Sequence, residues 1–442
     1  MEIALLALYA LLVLGLALSA TRRTDAAFFV NERASGPWGV AFSIVVSCVG
    51  ASATIGMIGM AFSVGTPAFW WLGMGAAGLL LLSLLLARKV RRSGAYTMPH
   101  MVETFLGKPA RPLIGMVVVI AWSAILAAQF SAVVMVLESL TGLSPRLCLF
   151  LGFLLIVTHT LGGQAAIMRI DRLQVLILFV ALLVIFGWLN EHNPTWPSLV
   201  ALEATNAQFP PEKLVYFLVI VGANYVVCPM LFGRMLSAKD ERSARLGGLL
   251  AAVGLLLCAA GIVAVGLACR GLLPVDTAQD AVLTTVLTQE MPLWLRLVVS
   301  ITLLSAIVSS ADSCLVTAST VLSFDLLGKK SATSGRLCVL LLGMAGAGLS
   351  LWGKGILGFL LMAYDVYACG VVMPVFMGLM LYSYRPVDTR WACAAVVAGG
   401  LCGAVSAFGD EASFAYAGMA VSGLLAGVGA LWPRFSTQRH GK

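Results

Sequence analysis

Charged residues are scarce in this chain: they make up 11% of its 442 residues, whereas soluble domains carry about 25%. Hydrophobic residues make up 60%, so a water-soluble protein of this composition would expose apolar surface and aggregate. The sequence also lacks HExxH, GxSxG and P-loop motifs, and its four histidines are scattered. The usual signatures of hydrolases and nucleotide-driven enzymes are therefore absent. These deficits predict a membrane protein that is not an enzyme.

Paired cysteines and basic stripes with interleaved aromatic residues are missing as well. The ten cysteines lie in apolar stretches without a CxxC pair, which favours small packing residues over metal ligands or disulfides. The formal net charge of +8 is what cytoplasmic loops of membrane proteins supply by themselves. We therefore expect no nucleic-acid partner.

Long apolar runs recur from end to end, and a run of about 20 residues is long enough to cross a bilayer as a helix. This rule predicts an all-α integral membrane protein with thirteen spans, numbered here in chain order. Their approximate bounds are 3–20, 38–63, 66–87, 112–137, 145–162, 168–189, 213–236, 246–269, 291–324, 335–352, 355–383, 389–408 and 413–432.

The distribution of basic residues predicts the orientation. With the N-terminus outside, nearly every lysine and arginine falls in a cytoplasmic loop, as the positive-inside rule requires. The exceptions are Arg146, Lys213, Arg270, Arg296 and Lys354. Span one follows Glu2 and precedes Arg22 and Arg23, which is typical of an uncleaved helix and not of a signal peptide. We expect a multi-pass protein of the cytoplasmic (inner) membrane whose C-terminus is cytoplasmic.

Two spans contain residues that interrupt helices. Span two has Gly50 within the sequence Ser-Cys-Val-Gly-Ala-Ser, and span seven has Gly222 and then Pro229. Because these spans are five apart, they cross the membrane in opposite directions. Matching broken helices in two halves indicate an inverted-repeat transporter with a site near the bilayer midplane. The alternative is that glycine and proline are simply common in membrane helices.

Span nine carries a row of polar side chains at helical spacing. The row consists of Thr302, Ser305, Ser309, Asp312, Ser313, Thr317 and Thr320. Facing lipid would be costly, so the row is expected to face other helices or a water-filled path. Oxygens of Ala306, Ser309 and Ser310 lie within one turn and could converge on a small cation, which carbonyls of residues 46–50 would help to bind. The alternative is hydrogen bonding between helices or back to the same helix.

Three acids lie within or beside the spans. Asp312 and Asp365 are intramembrane acids, which are costly and usually functional. They could bind a cation, carry a proton or contact a positive group of a solute; alternatively, each is a neutral acid that links helices. Asp171 falls at the predicted start of span six, where a helix N-terminus favours an acid.

The sequence Ser-Ala-Ile-Val-Ser-Ser-Ala-Asp-Ser at residues 305–313, continued by Phe-Asp-Leu at 324–326, resembles the signature helix of the solute:sodium symporter family. Other segments agree with this family in order and spacing, and the resemblance covers about residues 1–390. These segments are 47–65, 96–107, 162–164, 170–174 and 234–239.

The resemblance implies a leucine-transporter-like core of two inverted five-helix repeats, spans two to six and seven to eleven. The chain would then divide into residues 1–37, an extra helix and loop; 38–189, the first repeat; 190–383, the second; and 384–442, two extra helices and a short tail. It further implies secondary active transport, in which sodium drives symport of a small solute by alternating access.

The family's site residues carry over by position. Sodium would bind the carbonyls of Val46, Val49 and Ala306 and the hydroxyls of Ser309 and Ser310. Asp171 matches a family acid associated with sodium coupling, and with Asp312, Ser305 and Ser313 it forms the expected ion pathway. The substrate-binding candidates beside the breaks are Cys48, Ser52, Thr54, Trp71, Gln129, Asn224, Tyr225 and Asp365.

Departures from the family pattern bear on the solute. Sugar-transporting members carry amide or acidic side chains near the first break, where this chain has Cys48, Ala53 and Leu72. An amino acid, an amine or an organic acid is therefore expected before a sugar. Asp365 is not a residue of the general family pattern, and it could hold a cationic or amino group of the solute.

Two alternatives to sodium symport stay open at this point. Protons could replace sodium through Asp312 or Asp365, or the chain could be a transporter-like sensor or subunit that works with a partner protein. The expected partners are the solute, sodium and the lipid bilayer. We expect a monomer or weak oligomer, and a small membrane protein as companion is left open.

Overall fold

The computed structural model of the chain is helical throughout and describes residues 24–194, 196–199, 201–409 and 411–432, together with Gly15. Within these residues ten helices are long and apolar enough to cross a membrane, and one bent pair of helices gives an eleventh span. In chain order from span two, their bounds are Pro37–Cys48 with Ser52–Val64, Thr66–Arg92, Ala110–Thr141, Gly163–His192, Pro211–Leu236, Glu241–Ala268, Leu293–Leu326, Ala332–Ser350, Ile356–Leu381, Thr389–Gly409 and Ala412–Leu431; the shorter apolar helix Pro145–Thr160 lies at predicted span five.

Every predicted span from two to thirteen overlaps one of these helices, while predicted span one lies outside the described residues. Span five is a helix of only 16 residues, fewer than the roughly 20 that a bilayer requires. The count of thirteen spans therefore stays a prediction. Span six begins at Gly163, five residues before its predicted start. Short helices, Asp25–Val30, Met98–Leu106 and Val282–Gln289, join the spans.

Span two is broken where its glycine was expected to break it. Its two halves meet at 63°, and the backbone of Val49 has φ −97° and ψ 60°, outside the helical region. A Cβ atom at Gly50 would collide with Ser310 Oγ and Gln129 Oε1. Glycine at this position therefore lets the backbone of span two approach spans four and nine closely.

Span seven is interrupted five residues after Gly222. Val227 leaves the helical region, Cys228 is extended, and Pro229 begins the second half, Pro229–Leu236. Proline suits this first helical position because its missing N–H would have had no helical partner there. Thus spans two and seven both carry a break, and each break faces the interior of the bundle.

Span nine lies at the centre of the bundle. It packs against spans four and six and against both broken spans, whereas spans twelve and thirteen form a hairpin on the outside of span eleven. Nearly all of the predicted polar row on span nine is buried, including Ser309, Asp312 and Ser313. The row therefore faces protein, as expected from the cost of exposing it to lipid.

Candidate functional site

The break in span two and the polar turn of span nine meet directly. Ser310 Oγ donates to the Ser47 carbonyl at 2.8 Å and lies 3.4 Å from the Val46 carbonyl. The helical partner of the Ser47 carbonyl would have been the amide of Ala51, which donates instead to Gln129 Oε1 at 3.0 Å. The break thus frees main-chain oxygens, and span nine supplies a hydroxyl to them.

The five predicted sodium ligands occupy this junction to different degrees. Val46 and Ser310 are in contact, and Val49 caps the first half of span two. Ala306 is buried one turn before Ser310. Ser309 Oγ, however, donates to Asp171 Oδ1 at 2.8 Å. The predicted sodium ligands are carbonyl and hydroxyl oxygens, which are the groups that bind sodium at unwound membrane helices.

Asp171 is fully buried and belongs to this cluster. Its second oxygen accepts a hydrogen bond from Ser43 in the first half of span two. The expectation that Asp171 lies at the start of span six is wrong, because the helix begins at Gly163 and Asp171 lies two turns inside it. Because Asp171 is buried, it is not an exposed acid at a helix N-terminus. Ser43 of span two and Ser309 of span nine donate hydrogen bonds to its carboxylate.

Arg234 of span seven was missed as a site residue. The positive-inside rule assigns it to a cytoplasmic loop, yet its side chain is 1% exposed. Its Nη2 donates to Ser47 Oγ at 3.1 Å and to Ser313 Oγ, and lies 3.8 Å from Asp171 Oδ2. The sequence feature that could have identified Arg234 as buried is its position between apolar residues at the end of an apolar run. Arg234 therefore places a buried positive charge beside the candidate ion site.

The remaining members of the polar row divide between two sides of span nine. Ser313 Oγ lies 2.7 Å from Ser47 Oγ, on the side of the break. Asp312 faces span five, where Thr160 donates to it at 2.7 Å and His159 Nδ1 contacts its other oxygen. The Ser305 carbonyl accepts from Gln174 at 3.1 Å. Asp312 is thus turned away from the junction, and its partners His159 and Thr160 were not predicted.

A cavity of about 50 Å³ adjoins the junction and lies between the two breaks. It is lined by Ser47, Cys48, Gly50, Ser52, Trp122, Ile125, Gln129, Asn224, Tyr225, Cys228, Met230, Leu231, Ser310, Cys314, Leu360 and Tyr364. Five of the eight predicted substrate residues belong to this wall: Cys48, Ser52, Gln129, Asn224 and Tyr225. Ser310 and Gly50 line the cavity and form the junction, so the two sites share residues.

The other three substrate candidates lie elsewhere. Thr54 Oγ1 donates to the Gly50 carbonyl at 2.8 Å. Trp71 lies behind the cavity wall, stacked on the Tyr364 ring with 6.2 Å between centroids. Asp365 lines a different and larger cleft.

Two polar atoms of the cavity wall are without hydrogen-bond partners in the part of the chain that the structure describes. Asn224 Oδ1 is a buried acceptor, and Trp122 Nε1 is a buried donor. Buried polar groups are normally paired, and each unpaired one calls for an explanation. An acceptor and a donor in one small cavity are suited to a polar solute, and Trp122 was not among the predicted residues.

Known proteins resemble this chain in sequence. A sequence model of the sodium:solute symporter family matches residues 28–335. The sodium/pantothenate symporter of Haemophilus influenzae is 24% identical over 352 residues, which cover 73% of this chain and 71% of the relative.

Solved structures share the fold. A substrate-bound, outward-open Na⁺-coupled sialic acid symporter superposes with a TM-score of 0.81 at 15% identity, covering 98% of both chains. MhsT in complex with L-phenylalanine gives a TM-score of 0.60 at 15% identity, covering 90% of this chain and 99% of MhsT. These likenesses confirm an all-helical, leucine-transporter-like membrane fold.

Proposed function

Because the chain belongs to the sodium:solute symporter family, and is therefore a sodium-coupled transporter and not an enzyme, we propose that it carries a small polar organic solute other than a sugar. The observation that carries the coupling of ion and solute in this proposal is that Ser310 and Gly50 belong to both the junction and the cavity. An ion bound at the junction and a solute bound in the cavity would contact the same backbone. Each would then favour the conformation that binds the other, which is what coupling requires.

We propose that sodium binds the carbonyls of Val46, Val49 and Ala306 and the hydroxyls of Ser309 and Ser310. The hydrogen bonds that Ser310 makes to span two would be replaced by shared contacts with the ion. Ser309 would turn one lone pair toward sodium while its hydroxyl continues to donate a hydrogen bond to Asp171. In this arrangement Asp171 orients a ligand and adds negative charge without needing to contact the ion.

Arg234 balances that charge. Its guanidinium lies 3.8 Å from Asp171 and donates to Ser47 and Ser313. A fixed positive charge so close to the acid limits how many sodium ions the cluster can hold. We therefore propose one sodium ion at this junction in each transport cycle, with Ser305 and Asp312 supporting span nine from its other sides.

Transport would follow by alternating access between the repeats at residues 38–189 and 190–383. Sodium would hold the two halves of span two against span nine, and the cavity between the breaks, about 50 Å³ in this structure, would widen to admit the solute. Entry of each positive charge is driven by about 2.3 kcal/mol for every 100 mV of membrane potential. The solute would be concentrated inside because it crosses the membrane in the same step as the ion.

The cavity favours an amino acid, an amine or an organic acid. Asn224 Oδ1 offers an acceptor, Trp122 Nε1 offers a donor, and Tyr364 and Leu360 give apolar contact. None of the lining residues within the described chain is charged, so a charged solute group would be neutralised by sodium or by helix ends. Pantothenate, the solute named for the Haemophilus influenzae relative, is an organic acid and is the first compound to try.

A thermal-stability screen of the purified protein tests this proposal. Pantothenate, L-amino acids, small amines and sugars would each be added in sodium and in potassium buffer. A compound of the first three groups should raise the melting temperature more in sodium than in potassium, since bound ligands stabilise the folded state. The Asn224→Ala variant should lose this response, while Asn190→Ala, at an exposed position near the end of span six, should keep it. Stabilisation by sugars alone, or equal stabilisation in both buffers that Asn224→Ala abolishes, would contradict the proposal.

A further inference from the structure

A cleft of about 590 Å³ lies apart from the ion junction and the cavity between the breaks. It is formed by the beginnings of spans seven, eleven and thirteen and the end of span twelve, on the side that the distribution of basic residues predicts to be external. It shares no lining residue with the cavity. Its volume falls within the range of about 300–1,000 Å³ that is typical of small-molecule sites.

The floor of this cleft is a carboxylate held in one orientation. Asp365 is 6% exposed. Tyr216 Oη donates to one of its oxygens at 2.5 Å, and Ser406 Oγ donates to the other at 2.8 Å. Two donors stabilise the ionised form of an acid. Within the described residues Asp365 makes no ion pair, so its ionised form would be nearly buried without a counter-ion, which is costly, and an ammonium group in the cleft would supply that counter-ion.

The mouth of the cleft carries the opposite charge. Lys213 and Lys354 both line it. Their Nζ atoms lie over the rings of Phe209 and Trp352, at 5.5 and 5.3 Å from the ring centroids. These cation–π contacts restrain long, flexible side chains at the rim. Glu212 lines the cleft as well, so the two lysines give the rim a net positive charge above the carboxylate at the floor.

The walls suit an ammonium group. Tyr216 and Tyr416 pack edge to face, with 6.3 Å between ring centroids and 81° between ring planes, and both line the cleft. Aromatic faces next to a carboxylate favour organic cations over hydrated metal ions, because they add cation–π attraction and apolar contact.

We propose that this cleft is a second binding site, which takes a small zwitterion whose ammonium group pairs with Asp365 and whose carboxylate pairs with Lys213 and Lys354. Amino acids and their longer ω-amino relatives belong to this class. The site does not depend on sodium, since no residue of the ion junction lines it. In this proposal Asp365 would hold an amino group, as the sequence led us to expect, but outside the cavity between the breaks.

Calorimetric titration of the purified protein in lipid nanodiscs, in potassium buffer, tests the proposal. The probes are the zwitterions glycine, γ-aminobutyrate and ε-aminocaproate, with n-butylammonium and butyrate for comparison. At least one zwitterion should bind more tightly than n-butylammonium, and butyrate should bind least. Binding of butyrate as tight as that of the zwitterions would overturn the proposal.

Variants identify the site. Asp365→Asn should weaken binding of the zwitterion at least tenfold, whereas Asp276→Asn, which removes an exposed charge from a loop, should not. Gly358→Leu narrows the cleft without touching Asp365, since a Cβ there meets Lys354 at an ordinary 3.7 Å. It should weaken binding even if Asp365→Asn fails to fold. Unchanged binding in Gly358→Leu would overturn the proposal.

The two sites are separated by a further pair of variants. Asn224→Ala and Ser310→Ala alter the cavity and the ion junction, and both should bind the zwitterion as the unmodified chain does in potassium buffer. Loss of binding in Asn224→Ala would move the zwitterion to the cavity and overturn the second site. It would leave the proposed transport function intact.

Discussion

Among single residues, Ser310 connects the ion to the solute. Its hydroxyl reaches carbonyls of the broken span two, and its side chain also lines the cavity. Ser309, one residue earlier, points instead to Asp171. The two neighbouring serines therefore have separate tasks, because consecutive residues of a helix face directions about 100° apart.

Replacing Ser310 by alanine should lower the apparent affinity for sodium about tenfold, equivalent to about 1.4 kcal/mol, because one oxygen ligand is lost. The measurement is the rise of melting temperature with sodium chloride, set against potassium chloride. Ser319→Ala is the matched control, since Ser319 is buried on the same helix and donates to its own Val316 carbonyl. An unaltered sodium response in Ser310→Ala would remove this serine from the site.

Removing Arg234 should be strongly destabilising. Arg234→Met leaves Asp171 buried without its positive neighbour, and breaking a buried pair costs about 3–5 kcal/mol. The double variant Asp171→Asn with Arg234→Met removes both charges and should recover most of that loss. Unfolding in denaturant measures both, with the exposed Arg242→Met as control. If the double variant is no more stable than Arg234→Met, the two side chains are not coupled.

Only part of this residue-level picture is visible in the sequence. The adjacent Ser309 and Ser310 mark the polar turn by themselves, because neighbouring hydroxyls on a helix lie at nearly the same depth in the membrane. Arg234 could not be identified in that way, since charge counting assigns every basic residue near a span end to a loop. Asp365 was recognised as unusual, but only the fold reveals that it faces away from the cavity.

At the level of elements, the two breaks determine where chemistry occurs. Span two bends by 63° beside span nine, and the backbone of span seven leaves the helical conformation at Val227 and Cys228. Both breaks expose main-chain oxygens and amides that an intact helix would use internally. Gly50 and Pro229 marked these breaks in the sequence, because glycine and proline have recognisable backbone consequences.

Gly50→Ala should separate span two from span nine, because the new methyl group would collide with Ser310 and Gln129. Overpacking of this kind costs about 1–3 kcal/mol, and the sodium-dependent rise in melting temperature should disappear. Gly233→Ala on span seven is the control, since a Cβ there meets nothing within 4 Å. A Gly50→Ala variant with a normal sodium response would show that the close approach is not needed for ion binding.

The positions of helix ends were less predictable. Span six begins at Gly163, five residues before its hydrophobic run suggested, because hydropathy locates the apolar centre of a helix and not its end. That difference moved Asp171 from the surface into the core. Span five is shorter than a full membrane crossing, so an apolar run in the sequence does not by itself establish a helix that crosses the bilayer.

For the whole molecule, we predict transport driven by sodium alone. A solute that stabilises the protein in sodium buffer should accumulate in proteoliposomes under an inward sodium gradient. Monensin, which dissipates that gradient, should abolish accumulation, and an inward proton gradient in potassium buffer should not replace it. Accumulation driven by protons without sodium would contradict sodium coupling in this chain.

The most direct measurement of the central claim is equilibrium binding of radioactive sodium to the purified protein. The claim is that oxygens of a broken helix and of a serine-rich turn together bind the coupling ion. Saturable binding is predicted for the unmodified chain and for Ser319→Ala, and its loss for the double variant Ser309→Ala with Ser310→Ala. Saturable sodium binding that survives in the double variant would contradict the claim.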